Sequence, residues 1–151
     1  MTTAVLLFAA FGLASQLVLV AFFAARRWAP SRADAWGRSA YAFGALGLPL
    51  GAWLLLDGQS YRLFGGPVLL AAWAALGAAV DVWRPRPWRG PRVDWGVMAP
   101  YLALFFLAQM FLWWPLWDLA RAGWAVFAVL FAASTALNLR GHVRASRRPG
   151  S

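Results

Sequence analysis

The side chains able to do chemistry in this sequence are few and poorly placed for it. There is no cysteine, lysine or glutamate, and the one histidine, His142, sits in an arginine-rich C-terminal stretch. That removes thiolate nucleophiles, Schiff-base lysines and sulfur-ligated metals, and a lone imidazole without carboxylate neighbours at ligand spacing closes no metal site. The five aspartates, Asp34, Asp57, Asp81, Asp94 and Asp118, all fall near the ends of apolar stretches, away from positions where a general acid or base would face a sequestered substrate. No glycine-rich phosphate loop occurs; Gly65-Gly66 reads as a bare turn before Pro67. An enzyme is not expected, and these residues imply no metal or cofactor.

The polar side chains left to consider are mostly neutral and lie inside apolar stretches: Gln16, Gln109, Ser134, Thr135 and Asn138. In hydrocarbon each is costly unless it meets a partner or a water-filled space. Gln16 and Gln109 read most simply as interhelical hydrogen-bonding groups, and a pocket-lining role is the alternative. Asp81, with Arg84 three residues on, is expected to form an ion pair on one helix face at the membrane boundary.

The elements that must position these groups are five apolar stretches, at 4–25, 39–56, 66–83, 95–117 and 122–139. Each is long enough to cross a hydrocarbon core about 30 Å thick, which takes roughly 17–25 helical residues. A backbone in lipid must satisfy its own hydrogen bonds, and the period-two alternation of barrel strands is absent, so all five are predicted to be helices. A composition 62% hydrophobic with mean hydropathy +0.60 agrees. The fold class expected is therefore an all-α membrane protein, a compact bundle of five transmembrane helices over 1–139 with a basic tail at 140–151.

The net charge of +9 comes from fourteen arginines against five aspartates. Arg26, Arg27, Arg32 and Arg38 fall in the first loop, Arg84, Arg86, Arg89 and Arg92 in the third, and Arg140, Arg144, Arg147 and Arg148 in the tail. The second and fourth loops hold only Arg62 and Arg121, each with an aspartate nearby. The positive-inside rule then places the first loop, third loop and C-terminus in the cytoplasm and the N-terminus outside, and an odd number of spans requires the same result. The arginines follow the first apolar run instead of preceding it, so that run reads as a retained helix and not a signal peptide. Abundant alanine and all-arginine basic usage suggest a GC-rich bacterium, hence its inner membrane. The partners implied are a bilayer with anionic headgroups and other membrane proteins or a second copy of the chain; arginines flanking apolar helices do not make a nucleic-acid surface.

Of eleven tryptophans, ten fall at two predicted boundaries: Trp28, Trp36, Trp83, Trp88 and Trp95 at one, and Trp53, Trp113, Trp114, Trp117 and Trp124 at the other. Indole prefers the headgroup level, so Trp28, Trp83, Trp88, Trp95, Trp117 and Trp124 read as membrane-interface anchors. Trp73 alone lies deep in a span. Small residues at spacings of three to four, Gly44, Gly47 and Gly51 in the second stretch and Ala71 and Ala75 in the third, are expected to pack these two helices together. Pro49 is expected to kink the second helix.

The segment Ala133-Ser134-Thr135-Ala136-Leu137-Asn138 is similar to the terminal helix of the TspO family of tryptophan-rich sensory proteins, and Trp83 matches that family's tryptophan near the end of its third helix. Five short spans, an outside N-terminus and abundant tryptophan also resemble that family. Its proline- and tryptophan-rich entry to the second helix is replaced here by Trp36-Gly37-Arg38-Ser39, and its Pro-Tyr pair in the fifth helix is absent. The resemblance implies a bundle that binds a porphyrin, a sterol or another flat apolar ligand, with Trp73, Gln109, Trp113 and Asn138 as ligand-binding residues. Belts, small-residue stripes and amide bonds explain the same residues without a ligand, so the first expectation is a small non-catalytic structural or accessory membrane protein, with the TspO-like receptor or carrier as the alternative.

Overall fold

Why the chain folds back on itself four times is clearest at its turns. The computed structural model describes residues 2–83 and 93–145, with side chains through Asn138. Its elements are α1 (Thr3–Trp28), α2 (Ala33–Ala45), α3 (Gly47–Leu56), α4 (Tyr61–Ala78) continued by a π-helical turn (Ala79–Trp83), α5 (Trp95–Leu119) and α6 (Arg121–Ala145). A short 3-10 turn, Pro30–Arg32, leads from α1 to α2. The described residues form no strand, and five helices, with α2 and α3 counted as one, are long and apolar enough to cross a membrane.

Helix α3 ends in a paired capping motif: Gly58 N–H bonds Leu55 O at 3.1 Å and Gln59 N–H bonds Leu54 O at 3.0 Å. The motif needs a left-handed residue, and Gly58 supplies it at φ +73°. Between α5 and α6 the turn is a single residue, Ala120, whose N–H bonds Leu116 O while its carbonyl accepts from Trp124 N–H. At the start of α5 the Asp94 carboxylate accepts from Gly96 N–H at 3.0 Å, satisfying a donor that the helix cannot.

The second span starts at Ala33, six residues earlier than the hydropathy pattern predicts, and breaks at Leu46. Pro49 has no N–H for the carbonyl four residues back, so the break falls one turn before it, and Pro49 sits in the tolerated first turn of α3. The third span also differs from the reading above. Gly65-Gly66 is no turn but lies inside α4, which begins at Tyr61. These glycines serve close approach: a Cβ on Gly66 would lie 2.9 Å from Leu112 Cδ2, and one on Gly65 would lie 2.9 Å from Phe111 Cδ1, both on α5. Helix α6 runs on to Ala145, so the first residues of the basic tail continue the fifth helix.

Helix α4 is the centre of the bundle, packing on α2, α3 and α5, while α1 packs on α2 and α6. Of the α4 span 44% is buried, against 11% for Arg121–Asn138, which is why α4 carries much of the core. Gly44, Gly47 and Gly51 line its contact with α2 and α3. A Cβ on Gly47 would collide with the Pro67 carbonyl, and one on Gly51 would lie 2.5 Å from Val68 Cγ2. Across from Gly44 stands Ala74, where a Cβ would lie 2.7 Å away; Ala71 is buried, whereas Ala75 is exposed. Gly44 therefore faces Leu70 and Ala74 of α4, one residue round from the Ala71-Ala75 register. Phe8, Leu54, Leu70, Leu112, Leu116 and Phe127 fill the core.

Candidate functional site

Three constellations of polar and aromatic side chains occupy the bundle at different depths. In the middle, Gln16 on α1 donates from Nε2 to Gln109 Oε1 on α5, both side chains being buried. The remaining Gln16 Oε1 and Gln109 Nε2 have no hydrogen-bond partner among the described residues. Ser15 and Ser134, also buried, bond the carbonyls of Gly12 and Phe131 in their own helices at 2.7 and 2.9 Å. Such back-bonding satisfies a hydroxyl without a second helix.

At the end where α5 turns into α6, Trp113 stacks on Trp124, with ring centroids 5.0 Å apart and planes 17° off parallel. The Trp113 indole N–H donates to the Trp124 carbonyl at 3.1 Å, and Trp117 meets Trp124 edge-on at 4.9 Å. Arg121 lies over Trp117 at 5.5 Å, a cation–π contact that closes the corner.

The opposite, arginine-rich end is built differently. Tyr41 on α2 donates its hydroxyl proton to Asp81 Oδ2 at 2.5 Å, and the Tyr101 hydroxyl of α5 lies 3.4 Å from that of Tyr41. Tyr41 reaches Asp81 by crossing the surface of α4 at Gly77, where any Cβ would strike the tyrosine ring. The π-helical turn holding Asp81 follows directly, as such turns re-aim side chains out of α-helical register. Beneath them Trp73, 3% exposed, contacts Tyr41, Tyr101 and Phe105 at centroid distances of 5.3, 5.5 and 5.6 Å. Two open cavities flank this cluster. One, of about 330 Å³, is lined by Arg26, Asp34, Arg38, Tyr41 and Asp81 among others. The second, of about 390 Å³, is an apolar groove between α2 and α4 walled by alanines, with Arg38, Tyr41 and Trp83 at its margin.

The four residues singled out for ligand binding are not gathered round one of these spaces. Trp73 is held among aromatic rings, Gln109 bonds Gln16, Trp113 stacks on Trp124, and Asn138 is half-buried near the far end of α6. Trp73 borders a void of about 10 Å³ beside Ser15 and Phe43, the size of one water at most. Of the interface anchors, Trp28, Trp83 and Trp95 are 68, 73 and 68% exposed, Trp117 is 47% exposed, and Trp124 is half-buried by its neighbours. Trp88 and Arg84, and with Arg84 the expected pairing to Asp81, lie outside the described residues.

Sequence reasoning passed over Tyr41, Tyr101 and Gly77. The signal was present: a phenol within an apolar stretch needs a partner for its hydroxyl, as the glutamines do. The chain matches no protein-family model, no curated protein and no solved structure.

Proposed function

We propose that this chain is a small, non-catalytic integral membrane protein that serves as a structural or accessory subunit of a membrane assembly. The observation that carries the reading is that the interior amides and indoles pack on one another and not around a shared space: Gln16 bonds Gln109, Trp113 stacks on Trp124, and Trp73 meets three rings, while Gln16 Oε1, Gln109 Nε2 and Trp73 Nε1 have no hydrogen-bond partner among the described residues. Outward, α5 presents Leu102, Phe106, Met110 and Trp114 at intervals of four, all exposed, which makes one apolar face for lipid or a neighbouring helix. The arginine distribution supports an outside N-terminus and a cytoplasmic C-terminus in a bacterial inner membrane. Reporter fusions at Arg144 test the orientation, and a periplasmic readout there would overturn it.

Titration with protoporphyrin tests the function. An accessory bundle gives weak, non-saturating quenching of tryptophan fluorescence that is equal in the wild type and in Trp73→Leu. Saturable quenching that Trp73→Leu weakens about tenfold, roughly 1.4 kcal/mol, would replace this reading with that of a TspO-like receptor or carrier.

A further inference from the structure

The arginine-rich end contains space that the cohesion of the bundle does not explain. The polar cavity and the alanine groove share Arg38, Tyr41 and Val82, so one opens beside the other. Each is of the size of small-molecule sites, about 300–1,000 Å³. The groove is walled by Ala42, Ala45, Ala75 and Ala78, and Ala42, Ala45, Leu48 and Ala75 are exposed, so it opens sideways from the bundle and not along its axis. Trp83, at its margin and 73% exposed, marks the headgroup level that indole prefers. An apolar groove thus lies beside a charged cavity, with Arg38, Tyr41 and Val82 as their common rim, and an indole at headgroup level would set the groove at acyl-chain depth.

We propose that these adjacent cavities hold a single phospholipid lying across their shared rim, with an acyl chain along the alanine groove and a headgroup bearing both a phosphate and a primary ammonium in the polar cavity. The charges select the headgroup. Among the described residues, two guanidinium groups, Arg26 and Arg38, line the polar cavity together with two carboxylates, Asp34 and Asp81. Guanidinium groups match a phosphate in charge and in the fork of their donors. An anionic headgroup answers the arginines but sits against both carboxylates, whereas an ammonium answers them; Asp81 already accepts from Tyr41, which leaves Asp34 as the principal partner for the ammonium. A quaternary ammonium has no N–H to donate, so a choline headgroup fits less well. A second membrane helix laid in the groove would cover the alanines but leave the charged cavity unfilled. The inference goes beyond the accessory reading and does not depend on it.

The test is native mass spectrometry of the full-length chain, delipidated in mild detergent and offered equal amounts of palmitoyl-oleoyl phosphatidylethanolamine, phosphatidylcholine and phosphatidylglycerol. One phosphatidylethanolamine per chain should be retained about tenfold over either competitor. Arg38→Gln should lower that retention about tenfold, and Ala75→Leu, which fills the groove, should do the same. Asp34→Asn should erase the preference for phosphatidylethanolamine over phosphatidylcholine. All three positions are exposed, and unchanged helical circular dichroism checks that the variants fold. Equal retention of the three lipids, a preference for phosphatidylglycerol, or retention unaffected by both Arg38→Gln and Ala75→Leu would overturn the proposal.

Discussion

Where α3 meets α4 and α5 meets α6, the chain reverses within four residues or one, and stacked indoles seal the second corner. At the opposite end, α1, α2, the π-helical turn and the start of α5 converge on tyrosines and aspartates, and two cavities remain open between them. The difference is one of side-chain shape. A pair of indoles 5.0 Å apart is a flat solid that excludes other groups, while alanines facing one another leave a trough and charged side chains keep their heads apart. The stacked tryptophans therefore close their end of the bundle, whereas the alanines and arginines border the open space.

The sharpest way to break this comparison is to enlarge a small residue on each side of it. Gly47→Ala sets a methyl group against the Pro67 carbonyl in the tight α3–α4 seam, where backbone cannot yield cheaply. A loss of about 1–3 kcal/mol is expected. Ala75→Leu, exposed in the open groove, should change stability by no more than about 0.5 kcal/mol. Reversible unfolding in mixed micelles measures both, and equal effects would remove the distinction between a closed seam and an open groove.

A smaller effect is expected between the two ends, at the amide pair. Gln109→Leu should cost roughly 0.6–2 kcal/mol by leaving the buried Gln16 amide without its acceptor. The double variant Gln16→Leu with Gln109→Leu should be less destabilised than the sum of the single changes, since neither amide is then orphaned. Strict additivity in the same unfolding assay would mean that the pair does not bridge α1 and α5.

A further loss, smaller than that at Gly47 or at the amide pair, is expected at the sealed corner itself. Trp113→Phe keeps a ring against Trp124 and removes the N–H that donates to its carbonyl, a change of about 0.5–1.5 kcal/mol. Tyr41→Phe removes a donor from Asp81 at the open end and should cost a similar amount. If Trp113→Phe were silent while Tyr41→Phe was not, stacking alone would hold the corner, and the contrast between a ring-packed end and a hydrogen-bonded end would become sharper.

Five helices long and apolar enough to cross a membrane were legible in the sequence because hydropathy is local: each stretch reveals itself within roughly twenty residues, whatever the rest of the chain does. The break ahead of Pro49 was legible for the same reason, since a missing N–H acts one turn away. What remained hidden depends on residues far apart in the chain. Gly65 and Gly66 read as a turn until α5 brings Phe111 and Leu112 against them. Gln16 and Gln109 meet across 93 positions, so the sequence showed two amides in need of interhelical partners but not that they partner each other; Tyr41 and Asp81 meet across 40, where the sequence offered Asp81 only Arg84. Trp73 stood out in the sequence as the indole that no boundary explained, but only folding surrounds it with Tyr41, Tyr101 and Phe105. The sequence by itself determined which segments are helical and apolar, because that follows from each residue's own transfer free energy. Only the tertiary structure decided which faces meet, which polar groups pair and where space is left, because those follow from crossing angles and side-chain volumes that no local pattern encodes.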